Sequence, residues 1–288
     1  KRIPSFDIAK AIALGTVIFG HCSFGGAPTS LVDFSYSFSM PRSFHKRLFL
    51  QEGTFGAEAI EKSACSLLIP YAITSVLLIF LFAMRATLLP SKQVLPTVTT
   101  WIVAAPYGSG GVFPGMPEGV IAIGAIWYLW ALFWGKILLA SINDTKWPGI
   151  LAIAFFIVGV QTKDMIWLPL SIQPALCVVL FMFVGQKARE ASLFNKGALP
   201  PALWVCTLMT WLYCGAFYGQ LYMVSNTYQH GAIDVIGGIC GAAVLIKLSG
   251  LTSERLPAAT RLLAWIGRNA LPLFRIHLVV LNAAPWVT

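Results

Sequence analysis

Apolar runs of membrane length recur from one end of the 288-residue chain to the other, parted by short stretches rich in Lys, Arg, Gly and Pro. Against the ~20 residues that an α-helix needs to cross a bilayer, the pattern predicts spans over residues 8–25, 31–50, 65–84, 119–140, 148–162, 165–186, 200–223, 232–250 and 262–284. Val94–Ala105 is a tenth candidate, interfacial or re-entrant. The runs are long and continuous, unlike the short alternating segments of a membrane β-barrel. The expected fold is therefore all-α: a polytopic transmembrane helix bundle of about nine to ten spans, in one domain covering residues 1–288. No internal repeat stands out. The second span is the least regular, since Arg42, His45, Lys46 and Arg47 interrupt it.

The first span carries charge where a lipid-facing helix would not. Asp7, Lys10 and His21 lie in the run from Phe6 to His21. A helix turns about 100° and rises about 1.5 Å per residue. Lys10 and His21, eleven residues apart, thus share a face to within roughly 20° and stand about 16 Å apart along the axis. Asp7 falls within roughly 60° of both, and its i, i+3 spacing suits an ion pair with Lys10. Ionisable side chains inside a span are costly, and they usually face a bundle interior or a water-filled path.

Composition supports the membrane reading. Hydrophobic residues make up 57% of the chain and charged residues 11%, with mean hydropathy +0.76, whereas a soluble domain carries about 25% charge. The net charge of +9 is dispersed between apolar spans, with no basic stripe interleaved with aromatics, so no nucleic-acid partner is expected. With Lys1 and Arg2 on the cytoplasmic side, the loops holding Lys46, Arg47 and Lys62, then Lys146, then Lys187, Arg189 and Lys196, then Lys247, Arg255 and Arg261 fall on that side too. Arg85, Lys92 and Lys163 are left outside. This asymmetry is what the positive-inside rule requires. The six cysteines form no Cys-x-x-Cys pair, and the four histidines fall on separate elements, so no metal site is expected. The stretch Pro106–Glu118 is punctuated by Gly and Pro and is expected outside, as a cavity cap or a plain connection.

Five strings resemble the membrane acyltransferase family 3, especially the branch of fucose 4-O-acetylase-like enzymes. The first is Lys10 and His21, a basic residue and a histidine separated by ten others. Phe38-Ser39-Met40-Pro41 is similar to the family's second-helix Phe-His-Met-Pro. Leu67-Leu68-Ile69-Pro70-Tyr71 resembles its third-helix motif. Ile126-Trp127-Tyr128-Leu129-Trp130-Ala131-Leu132-Phe133 resembles its Leu-Trp-Phe-Leu-x-x-Leu-Phe. Ile266-Gly267-Arg268-Asn269-Ala270-Leu271 with Phe274-Arg275-Ile276-His277 is similar to its closing Gly-Arg-Asn-Ser-Leu and Tyr-Leu-Leu-His strings. The five occur in the family's order. Of the paired basic residues before the third helix, this chain has Lys62, with Cys65 where a second would stand.

The resemblance implies an O-acyltransferase of a bacterial-type cytoplasmic membrane. It would move an acyl group, acetyl being the expected one, from cytoplasmic acyl-CoA to a hydroxyl of an extracytoplasmic or lipid-linked glycan. Acyl-CoA would be the donor substrate, and no metal is implied. A base within reach of the acceptor hydroxyl is needed, and histidine, with an unperturbed pKa of about 6.5, suits that work at neutral pH. His21 is the candidate base, with Asp7 as its acidic companion on the helix. Lys10, Arg2 and Lys62 are the candidate donor-phosphate contacts. The 16 Å between Lys10 and His21 is on the scale of an extended pantetheine arm.

The matched strings also nominate His277, Trp127, Tyr128, Arg268 and Asn269 as substrate-binding residues. Plainer readings stand beside these. Lys10 could snorkel to the interface, and Trp127, Tyr128 and Trp130 could form an aromatic belt. Arg268 could be only a positive-inside anchor, and His277 could serve only helix packing. His230 is expected solvated in an outer loop. Two other functions fit the same polar line: a transporter or flippase for a polar or lipid-linked substrate, and a non-catalytic acyltransferase relative.

Overall fold

The computed structural model describes residues 4–21, 57–88, 93–195, 197–218 and 221–283. Arg2, the span over 31–50 with its basic cluster, the motif Phe38–Pro41 and the side chain of His21 lie outside the described residues.

Among the described residues the protein is all-α. The helices are α1 (Pro4–His21), α2 (Ala57–Leu88), α3 (Val94–Tyr107), α4 (Trp127–Asn143), α5 (Pro148–Gln161), α6 (Ile172–Glu190), α7 (Pro201–Phe217), α8 (Ala232–Arg255), α9 (Pro257–Arg268) and α10 (Ala270–Ala283). One two-residue hairpin, β1 (Leu221–Tyr222) and β2 (Thr227–Tyr228), interrupts them. Two of the described helices, over Ile60–Leu88 and Ala232–Arg255, are long and apolar enough to cross a membrane; α3, α5 and α7 are apolar but shorter.

Facing residues fix the helix directions. Ser63 on α2 meets Lys136 on α4, and Tyr71 meets Trp130 one level on, so α2 and α4 run antiparallel. Gly149 and Gly159 of α5 abut Phe183 and Cys177 of α6, which is again antiparallel. Gly237 of α8 abuts Cys214 of α7, and Lys247 lies over the Trp204 ring, a third antiparallel pair. Asn226, in the turn of the hairpin, donates to the carbonyls of Gly159 and Gln173 at 3.0 and 2.9 Å. That ties the start of α8 to the end of α5. The bundle thus has one end built from the loops over 108–126, 162–171 and 221–231. The opposite end holds the N-terminus of α2 and the C-termini of α4, α6 and α8. Lys62, Lys146, Lys187, Arg189 and Arg255 are all at the second end.

Several predicted spans are trimmed, each for a local reason. The run over 119–140 becomes helical only at Trp127, because Gly119 and Gly124 adopt φ of 81° and 78°, conformations that suit glycine and break a helix. The run over 165–186 starts its helix at Ile172, after Pro169, which disfavours helix in the residue before it. The run over 200–223 ends its helix at Phe217. The last run, over 262–284, is two helices and not one. Pro272 has no N–H to give the carbonyl of Arg268, and its ring crowds that carbonyl, so α9 closes at Arg268 and α10 begins at Ala270.

The candidate segment Val94–Ala105 is helix α3, stacked on α2 through Phe82 and Trp101, whose ring centroids lie 4.1 Å apart. The Tyr71 hydroxyl donates to the Ala105 carbonyl at 2.5 Å. Because α2 and α4 are antiparallel, the chain leaves one and enters the other at the same end. The helix α3 and the 108–126 loop therefore form an excursion beside α2. That loop is packed, with Ser109, Val120, Ile123 and Ile126 buried. Gly110 lies so close to Trp127 and Val224 that a Cβ there would meet their side chains at 2.3 and 2.5 Å. It packs as a cap over the start of α4.

Candidate functional site

The helix α1 packs most extensively against α9 and next against α8. Its buried positions, Ile8, Ala9, Ala11, Ala13 and Leu14, are small or aliphatic, which lets neighbouring backbones come close. Closest of all is Gly267 of α9: a Cβ added there would sit 1.7 Å from the carbonyl oxygen of Asp7. Glycine in the Ile266–Leu271 string is thus the residue that permits the crossing of α1 and α9.

That crossing buries Asp7 to 3% exposure. Its carboxylate accepts from the Lys10 ammonium at 3.1 Å, the i, i+3 pair expected from the spacing. Asp7 is therefore inside the bundle, and the Lys10 side chain beside it is partly buried at 22% exposure. Beyond Lys10, the same side of α1 carries Leu14, Val17 and Ile18, which pack into an apolar cluster with Leu67, Leu129, Phe133, Phe274 and Leu278. The helix is charged toward its start, aliphatic along its middle, and ends in His21.

The other nominated residues fall in three places. Tyr128 stands edge-on to Phe274 with ring centroids 5.5 Å apart, and Phe274 neighbours His277 at 6.5 Å. Tyr128 and His277 are thereby brought to one α4–α10 seam, with Trp127 one residue away under the Gly110 cap. Arg268 stands apart from that seam, lining an open cleft of about 380 Å³ together with Pro4, Asp7, Thr260, Arg261, Ala264 and Trp265. The Asn269 side-chain amide donates to the Trp265 carbonyl at 2.9 Å and closes the end of α9. Lys62 is exposed and pairs with Glu58 at 2.5 Å; that hydrogen bond holds the Glu58 carboxyl below its ordinary value.

Two constellations escaped the sequence reading. Lys136 is only 5% exposed and donates to the Ser63 hydroxyl at 3.4 Å, itself 4% exposed. A lysine inside the apolar run from Trp127 to Ile142 was the available signal. Counting back from the C-terminus of α4, it lies about 10 Å inside the bundle, at the same end as Asp7 and Lys10. At the other end His230 is exposed and also partnered: Nδ1 lies 3.4 Å from Asp234, the His230 backbone N–H donates to the same carboxylate at 2.8 Å, and Tyr218 stacks edge-on at 4.8 Å. Among the described residues, no group of His, Cys, Asp and Glu could hold a metal ion, and Cys65, Cys177, Cys206, Cys214 and Cys240 are free thiols.

The family model of the acyltransferase domain matches residues 3–284, nearly the whole chain. The chain belongs to the membrane acyltransferase family 3. No curated protein and no solved structure matches it. As a member of that family it is an acyltransferase, and its two long apolar helices fit insertion into a membrane. In this acyltransferase the Lys10–Asp7 pair and the crossing at Gly267 come from two of the five resembling strings, which the fold brings into direct contact.

Proposed function

We propose that the protein is a membrane O-acyltransferase that moves an acyl group, acetyl foremost, from cytoplasmic acyl-CoA to a hydroxyl of an extracytoplasmic or lipid-linked glycan. The observation carrying this reading is the buried Asp7 paired with the partly buried Lys10 on the helix that ends in His21. The end rich in Lys and Arg is cytoplasmic, following the positive-inside rule. Helix α3 and its loop are then an excursion that does not cross, and α8 is one of the helices that do. The membrane is of the bacterial inner type.

In this reading Lys10, oriented by Asp7, holds the anionic part of the donor, joined by Arg2 and by the buried Lys136 that sequence inspection overlooked. The exposed Lys62 gives long-range attraction at most. The middle of α1 is aliphatic and packed against the bundle, whereas a polar solute would need polar groups all the way along. That distinction favours transfer over transport. His21 takes the proton of the acceptor hydroxyl as its oxygen attacks the thioester carbonyl; the carbon–sulfur bond breaks, and the thiolate takes that proton and leaves as free CoA. Tyr128, His277 and Trp127 border the acceptor on the far side, under the Gly110 cap.

The test is turnover by purified protein in proteoliposomes with labelled acetyl-CoA inside and oligosaccharides outside. CoA release matched by an esterified oligosaccharide is expected. Oligosaccharide flux without any donor would show transport instead, and donor binding without transfer across a broad acceptor panel would show a non-catalytic relative. In the same assay Lys136→Met should raise the donor KM about tenfold or more, the worth of a hydrogen bond to a charged group. Its thermal midpoint should hold or rise, because replacing a buried charge by an apolar chain of similar length is seldom destabilising. An unchanged KM would remove Lys136 from the donor site.

A further inference from the structure

The cleft between α9 and the start of α1 has the makings of a nucleotide site. Its wall is the exposed face of α9, where Arg261 and Arg268 stand one above the other and the Trp265 indole, 53% exposed, lies between them. Among the described residues neither guanidinium makes an ion pair or a hydrogen bond. The floor is Ala264 and the buried Asp7, whose charge Lys10 already balances at 3.1 Å, and Pro4 closes one side. The Thr260 hydroxyl is committed to the Thr252 carbonyl. The cleft therefore offers two planar cations, one aromatic face and a small apolar floor, in about 380 Å³.

That inventory matches a phosphorylated nucleoside. Arginine forks bind phosphate oxygens in pairs, and an indole face takes a purine by stacking. We infer that this cleft binds the adenosine bisphosphate end of the acyl donor, with Arg261 and Arg268 on its phosphates and Trp265 on its base. The inference rests on the proposed donor and adds its docking site. The site lies at the level of Asp7, so Lys10 is the next cation that a donor reaching into the bundle would meet. Arg268 is thereby moved from the acceptor to the donor.

Phosphate esters also occur on lipid headgroups, and the neighbouring Leu262, 61% exposed, would suit a membrane surface. The experiment separates the two sources. Adenosine 3′,5′-bisphosphate, which carries neither pantetheine nor acyl group, is titrated into the full-length protein in phosphatidylcholine nanodiscs, and again in nanodiscs containing phosphatidylglycerol. Saturable binding in both is expected. Arg261→Gln, Arg268→Gln and Trp265→Leu should each weaken it roughly tenfold or more, and Lys163→Gln, at the other end of the bundle, should not. The thermal midpoints of the variants are compared in parallel, since exposed side chains should leave them unchanged.

No binding by the wild type, or variants that bind like it, would overturn the assignment. So would variants that lose only their response to phosphatidylglycerol. Bisphosphate binding is measured without turnover. A protein that transfers acetyl but ignores the bisphosphate would sink this site alone, and one that binds it at the cleft without transferring acetyl would sink only the enzymatic reading.

Discussion

His21→Ala is expected to lower the rate of acyl transfer by at least a hundredfold while leaving the donor KM within a few-fold of wild type. The rate loss is that of removing a positioned proton acceptor, typically 10²–10⁴-fold. The selectivity follows from helix geometry: His21 lies about 16 Å along α1 from Lys10, too far to share the donor's phosphates. Lys10→Ala should show the opposite split, a raised donor KM with a smaller effect on kcat, and it should also strip Asp7 of its partner at 3.1 Å. A buried carboxylate without its cation is costly, so the charge-neutral pair Lys10→Met with Asp7→Asn is the cleaner comparison. Steady-state kinetics on protein recovered from membranes at normal yield would decide. Equal kcat in wild type and His21→Ala would end the role of this residue as base.

Gly267→Ala should be the most damaging single-methyl change in the described part of the bundle. The added Cβ would lie 1.7 Å from the Asp7 carbonyl oxygen and 2.6 Å from its carbonyl carbon. Both are backbone atoms, so no side chain can rotate away. The helices α1 and α9 must separate by more than an ångström, and overpacking of that kind costs about 3 kcal/mol or more. Asp7 and Lys10 move with α1, so activity should fall with the thermal midpoint. Gly250→Ala is the control: a Cβ there meets nothing within 4 Å, and alanine in a helix is favoured over glycine by roughly 0.5–1 kcal/mol. Thermal unfolding of both variants in one detergent tests the pair. Equal midpoints would mean that the α1–α9 crossing is not as close as described.

Much of the helical layout was legible because membrane-length apolar runs and charge asymmetry are written directly in residue order. The pairing of Asp7 with Lys10 was equally open to reading, since both lie within one turn of one helix. The interruptions were less accessible. Gly119 and Gly124 delay α4, and Pro272 splits α9 from α10, within runs whose hydropathy continues unbroken. Hydropathy reports how apolar a segment is and not whether its backbone can hold a helix. His230 is exposed in its loop, as its polar stretch suggests, but its carboxylate partner was less accessible because Asp234 belongs to the first turn of the next helix.

By itself, the order of residues determined the class, the spacing of Lys10 and His21, and the resemblance that the family match then secured. Short-range periodicity suffices for those. Only the tertiary structure decided that Gly267 meets the backbone of Asp7, that Ser63 and Lys136 share a buried contact 73 residues apart in sequence, and that Arg268 belongs with the start of α1. Such juxtapositions depend on which helices become neighbours, and that follows from the shapes of packed faces summed over the whole bundle, which no local pattern encodes.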